Sequence, residues 1–145
     1  MAEKDNIQFV EQQVAALNAR DLEGYLSRID DSYVGASEIA PGPICGHEGV
    51  RQNIGMLFEA FPDVRLEIKQ IIASGDSVAV LLRITGTHKG NFAGIAPTNK
   101  SFVIQGCNVV EVRNGKAIQA KLYADNVSLL QQLGVLPLPK ATAAG

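Results

Sequence analysis

Tryptophan is absent from this 145-residue chain, and cysteine and histidine occur only twice each. Two cysteines, Cys45 and Cys107, cannot build a disulfide scaffold; each reads as a free thiol acting as a small buried hydrophobe in a reducing compartment. The two histidines, His47 and His88, and the two cysteines are scattered, and no metal-ligand spacing appears. An excess of either charge is also missing. The net charge is −2, which leaves no electrostatic footprint for nucleic acid or for an anionic membrane. No apolar run approaches the roughly 18 residues that a membrane span requires. The segment Met1-Ala2-Glu3-Lys4-Asp5-Asn6 is polar and leads into no apolar signal core, so the expected location is the cytoplasm. There is no phosphate-cradling glycine loop and no internal repeat.

What remains is a chain of one domain's length, spanning 1–145. Hydrophobic residues make up 46%, too many for a disordered chain. Charged residues are 19%, below the usual quarter, which points to an apolar cavity or an oligomer interface.

The first half carries helical periodicity. Ile7, Val10, Val14 and Leu17 recur at three- and four-residue steps and predict a helix over 3–19. Asp21 is placed to cap a short second helix bearing Leu22, Tyr25, Leu26 and Ile29. A short strand fits 32–35, and Ala40-Pro41-Gly42-Pro43 breaks the chain. A third helix fits 47–61, with Val50, Ile54, Leu57, Phe58 and Phe61 as its stripe, and Pro62 stops it. After Pro62 the period switches to two. Val64, Leu66 and Ile68 alternate with Arg65, Glu67 and Lys69 as a half-buried strand. Further strands fit 78–87, 102–113 and 116–123, and Asn114-Gly115 is a strong hairpin signal between the last two. Asp125 caps a closing helix, with Val127, Leu130 and Leu133 expected inward, and the tail from Leu136 is expected to be loose. Segregated helices and hairpin-linked strands predict an α+β fold. A curved antiparallel sheet wrapped around helices then forms a cone-shaped α+β barrel with an internal pocket, an ordinary place for a ligand.

Several strings then stand in a recognisable order. Gly46-His47-Glu48-Gly49-Val50-Arg51 leads a helix ending in Phe61-Pro62-Asp63. Residues 86–98 read G-T-H-x-G-x-F-x-G-x-x-P-T. Asn114-Gly115-Lys116 precedes the last strand, and Leu129 to Pro137 reads LLQQLGVLP. Together, from about Gly46 to Pro137, the chain resembles the SnoaL-like polyketide cyclase (ester cyclase) family of the nuclear transport factor 2-like superfamily. The resemblance implies cofactor-free intramolecular aldol cyclisation of an aromatic polyketide or related carbonyl compound, with no metal. It also implies a homodimer whose partner ligand is a small apolar or aromatic carbonyl compound. Two alternatives share the fold: a non-catalytic small-molecule-binding member, and a hydrolase or isomerase variant. In the family the last strand often carries a His and an acid/base Asp on one face. Aligned on Gly115-Lys116, those places hold Ala120 and Leu122.

The acid/base candidates are therefore Asp125 and His88. Asp125 reads either as a helix cap or as a relocated acid, since burial raises a carboxyl pKa. His88 either polarises a carbonyl or pins the 90–99 loop by hydrogen bonding. Arg83 interrupts an apolar strand and either holds a substrate oxygen or faces solvent or a partner. Asn108, mid-strand, needs a partner that a ligand carbonyl can supply. Tyr25 and Tyr33 either present hydroxyls to the hollow or simply pack. Phe58, Phe92 and Leu122 complete the expected substrate-binding set, with Met56 and Phe61 as further wall residues. His47 is expected at the surface.

Overall fold

The structure is a computed structural model that describes residues 2–38 and 42–137. Helix α1 spans Ala2–Asn18, α2 Leu22–Leu26, α3 Gly46–Ala60 and α4 Asn126–Gln132. The strands are β1 (Ile29–Ser37), β2 (Ile44–Cys45), β3 (Arg65–Ser74), β4 (Ser77–Thr87), β5 (Ser101–Arg113) and β6 (Lys116–Ala124). Part of the breaker at 40–43, and the tail beyond 137, lie outside the described residues.

The six strands form one sheet in the order β2-β1-β6-β5-β4-β3. Strands β3 to β6 make an antiparallel meander, because each connection is a turn or loop. The β5–β6 turn has φ of 54° at Asn114 and 73° at Gly115, the pair of positive values that a tight hairpin turn needs. The expectation of a purely antiparallel sheet is corrected in one place: β1 runs parallel to β6, with Gly35 opposite Ala120. Residues 38–115 separate the two strands, so no hairpin constrains their direction, and a parallel pair is sterically free to form. The sheet also stays open, with β2 and β3 as its edges. Register shifts between Ile68 and Gln70 and between Glu111 and Val112 bend it, as bulges do, and curve it over the helices.

Alternation places the core. Val78, Val80, Leu82 and Ile84 point inward from β4 and are buried, while Leu81 and Arg83 point outward. Helix α1 lays Asn6, Phe9, Val10, Gln13, Ala16 and Leu17 against the inner face over β3 and β4. The α1–α2 turn is held by Arg20, in left-handed conformation at φ 62°. Its guanidinium donates to the carbonyls of Leu17 (3.1 Å), Pro62 (2.7 Å) and Val64 (2.8 Å) and lies 4.5 Å over the Phe58 ring. Asp21 accepts the Gly24 N–H at 2.9 Å and caps α2.

Several side-chain expectations change. On α4, Leu129 and Leu133 are buried and Val127 is 60% exposed, because the helix begins at Asn126 and turns Val127 away from the sheet. Met56 projects outward from α3 and lines nothing. Cys45 is exposed at the start of α3, and Cys107 is half-buried on the outer sheet face, so neither is a fully buried hydrophobe. His47 is half-buried: its Nε2 lies 2.6 Å from the Ile29 carbonyl and its Nδ1 3.3 Å from Asp31. Among the described residues, no helix is long and apolar enough to cross a membrane.

Candidate functional site

Between the curved sheet and the first two helices lies a cavity of about 60 Å³. Its floor is apolar. Val80 and Leu82 come from β4, Val110 from β5, and Ala117 and Ala120 from β6. Its roof is Phe9, Val10, Gln13, Val14 and Leu17 of α1. Four polar side chains reach the wall: Gln13, Tyr25, Tyr33 and Asn108. All four are neutral types.

Each arrives there for a local reason. Gln13 follows Val10 by three residues and precedes Leu17 by four, so it shares their helical face. Tyr25 sits in α2, whose single buried stripe faces α1. Tyr33 is an inward position of β1, buried at 9% exposure. Asn108 lies opposite Val80 on β4 and Leu122 on β6, which aims its amide at the same hollow.

Burial raises the pKa of both tyrosines, and for Tyr33 the neighbouring Tyr25 adds to it. Loss of a phenol proton would leave a charge in an apolar site. Both hydroxyls therefore stay protonated and can donate. Neither hydroxyl, nor the Asn108 amide, has a protein hydrogen-bond partner among the described residues. The arrangement can bind and polarise an oxygen acceptor in an apolar surrounding, where such bonds are stronger than in water.

Of the candidates from the sequence, Tyr25, Tyr33 and Asn108 line this one cavity, and the others stand elsewhere. Leu122 shares the inward face with Ala120 but lies beyond the cavity wall. Phe58 is half-buried beneath the Arg20 guanidinium. Phe92 packs on Phe61 with centroids 5.0 Å apart, in a separate aromatic cluster with His88 and Phe102. Arg83 is exposed on the outer face, beside Glu67 and Gln105 in register. A direct contact from Arg83 to a molecule in this cavity is therefore excluded by strand alternation. Asp125 is exposed and accepts the Ser128 N–H at 3.1 Å, capping α4. His88 is wholly buried, and its Nδ1 lies 3.1 Å from the Thr98 hydroxyl. Neither Asp125 nor His88 lines the cavity.

The sequence reading missed Gln13. The signal was available: Asn6, Val10, Gln13 and Leu17 step by four, three and four, so two amides interrupt the apolar stripe of α1. Among the described residues, no group of three or more His, Cys, Asp or Glu side chains comes together to hold a metal ion.

A curved, open sheet wrapped over helices, with a cavity between the layers, defines the cone-shaped α+β architecture of nuclear transport factor 2-like proteins. The profile of the SnoaL-like polyketide cyclase family matches residues 7–133, and the chain belongs to that family. It is 25% identical over 122 residues to nogalonic acid methyl ester cyclase of Streptomyces nogalater, an alignment covering 83% of this chain and 91% of that one. Among solved structures, AclR of Streptomyces galilaeus, a candidate hydroxylase, superposes with a TM-score of 0.82 at 29% identity, over 95% of this chain and 87% of that chain. IdmH of Streptomyces antibioticus, a candidate polyketide cyclase, superposes with a TM-score of 0.78 at 28% identity, over 90% and 99%.

Proposed function

We propose that the cavity binds a neutral, carbonyl-bearing compound of the polyketide type and promotes its ring closure by cofactor-free intramolecular aldol addition. The observation that carries this reading is the pair Tyr25 and Tyr33, held protonated in an apolar wall with their hydroxyls unspent. The name of the Streptomyces nogalater relative supports the substrate class.

In the proposed step, the enol of a 1,3-dicarbonyl unit attacks a second carbonyl of the same molecule. A carbon–carbon bond forms, and the carbonyl π pair moves onto oxygen. Tyrosine hydroxyls stabilise that developing alkoxide. The enol O–H proton is released and the alkoxide takes one up, so no proton is consumed overall. A C–H between two carbonyls is acidic enough that holding the reacting ends together supplies much of the catalysis. At about 60 Å³ the cavity is smaller than the roughly 300–1,000 Å³ of sites that bury a drug-sized ligand. In this reading α1 and α2 move off the sheet when the substrate enters.

A second reading, binding without turnover, is favoured by one observation. No carboxylate or imidazole lines the cavity, and Ala120 occupies its wall.

Chromatographic turnover of nogalonic acid methyl ester separates the two. Wild type is expected to close the ring, Tyr33→Phe to slow it at least tenfold, and Asp125→Asn, which keeps the helix cap, to leave it within twofold. Saturable binding with no closure above the uncatalysed rate selects the second reading. Loss of closure in Asp125→Asn alone would move the acid/base outside the cavity.

A further inference from the structure

Gln13 is one of three buried polar or charged residues among those described, and it is the one in the cavity wall. Its Nε2 donates to the Tyr25 backbone carbonyl at 3.3 Å. That bond settles which way the amide points, because a flipped amide would set its oxygen against the Tyr25 carbonyl oxygen. The other end, Oε1, is sealed from solvent and has no donor. A buried acceptor left without a donor costs free energy that a ligand can recover. The remaining polar groups of the wall complete the picture: two phenols that stay protonated, and an unspent amide at Asn108.

We propose that Gln13 is a specificity-determining residue that selects ligands carrying a hydroxyl donor in addition to a carbonyl, that is, hydroxy-ketones or enolised diketones. The proposal rests on the reading of this cavity as the binding pocket. The ligand O–H donates to Gln13 Oε1, and its carbonyl accepts from the tyrosine hydroxyls. An analogue whose hydroxyl is capped brings the same apolar surface but leaves Oε1 unpaired, and sites of this kind discriminate strongly against such analogues. Asp125, Arg83 and the other charged groups are outside the cavity wall, so a neutral ligand meets no competing ion pair.

The test is calorimetric binding of 4′-hydroxyacetophenone and 4′-methoxyacetophenone, which differ in the donor and share the carbonyl. Wild type is expected to bind the hydroxy compound at least tenfold more tightly. Gln13→Leu keeps the volume and removes the acceptor. It is expected to bind the two compounds within about twofold of each other. A merely structural Gln13 would leave the ratio of the two affinities untouched in Gln13→Leu, whatever the loss of its bond to the Tyr25 carbonyl does to stability. Equal affinities in wild type overturn the role of Gln13 while leaving the pocket standing. Failure of both compounds to bind at millimolar concentration removes the pocket reading and this proposal together.

Discussion

The Nδ1 of His88 accepts the backbone N–H of Thr98 at 3.2 Å. An acceptor at Nδ1 is unprotonated, so the neutral ring carries its proton on Nε2, where no partner stands. The ring lies 5.8 Å from Phe61 and edge-on to Phe92 at 6.4 Å. Around it the backbone closes a lock. His88 donates to Lys100, Asn99 donates back to His88, and Lys89 and Gly90 both donate to the Ala60 carbonyl at the end of α3. The approach is so close that a Cβ on Gly90 would lie 2.1 Å from the Glu59 carbonyl oxygen, which is why a glycine stands there.

The lock makes His88 a fold residue whose loss is local. His88→Ala is expected to lower stability by about 3 kcal/mol through the cavity and the lost bond to Thr98. Hydrogen exchange should speed up in the 89–99 loop, while affinity for 4′-hydroxyacetophenone changes less than threefold. A large loss of affinity with normal exchange would instead bring His88 into the binding site.

Asp63, just after α3, gives the fold an acid-sensitive contact. Its carboxylate accepts the Thr87 N–H and the Thr87 hydroxyl, each at 2.7 Å. Burial is the largest single influence and would raise its pKa, but the two Thr87 bonds, a backbone bond of its own and the nearby Lys89 charge together outweigh it and the net shift is downward. A carboxyl with a lower pKa folded than unfolded adds stability above its unfolded value, about 3.9, and loses it as pH falls through the folded value. Asp63→Asn should therefore unfold at lower urea than wild type at pH 7, and the two midpoints should converge below about pH 4. Parallel curves from pH 7 to 3 would deny Asp63 this role.

Most of the architecture was legible because it rests on short-range rules. Period-two alternation marked β3 to β6, the Asn114-Gly115 pair marked their last turn, and the Asp21 and Asp125 caps marked two helix starts. The parallel seam of β1 on β6 was not legible, because it joins segments separated by four strands and a helix and no local pattern encodes its direction. The site divided along the same line. Asn108 stood out in the sequence as a polar amide in mid-strand and Tyr33 as a phenol that either packs or faces the hollow, but only the strand register shows that both point inward. Arg83 broke an apolar run, but strand parity put it outside. Gln13 was hidden because an amide in a helix reads as solvent-facing until the position of the helix on the sheet is known.

The same neutrality that obscured the site sets its pH behaviour. Tyr33 is buried and its pKa is raised, first by that burial and then by Tyr25. The unfolded chain, with an ordinary phenol near 10, ionises first. Stability linked to this group is thus complete below about pH 10 and declines as pH rises beyond it. Within the folded protein the hydroxyl remains a donor throughout the neutral and mildly alkaline range. Affinity for 4′-hydroxyacetophenone falls as that probe's own phenol ionises, so 4′-methoxyacetophenone is the cleaner reporter. Its affinity should stay flat from pH 6 to pH 9.5, and Tyr33→Phe should weaken it about tenfold, roughly 1.4 kcal/mol for one hydrogen bond to a carbonyl. A titration midpoint within that range, abolished by Tyr33→Phe, would mean that the phenol is solvated and that the cavity does not hold it as a fixed donor.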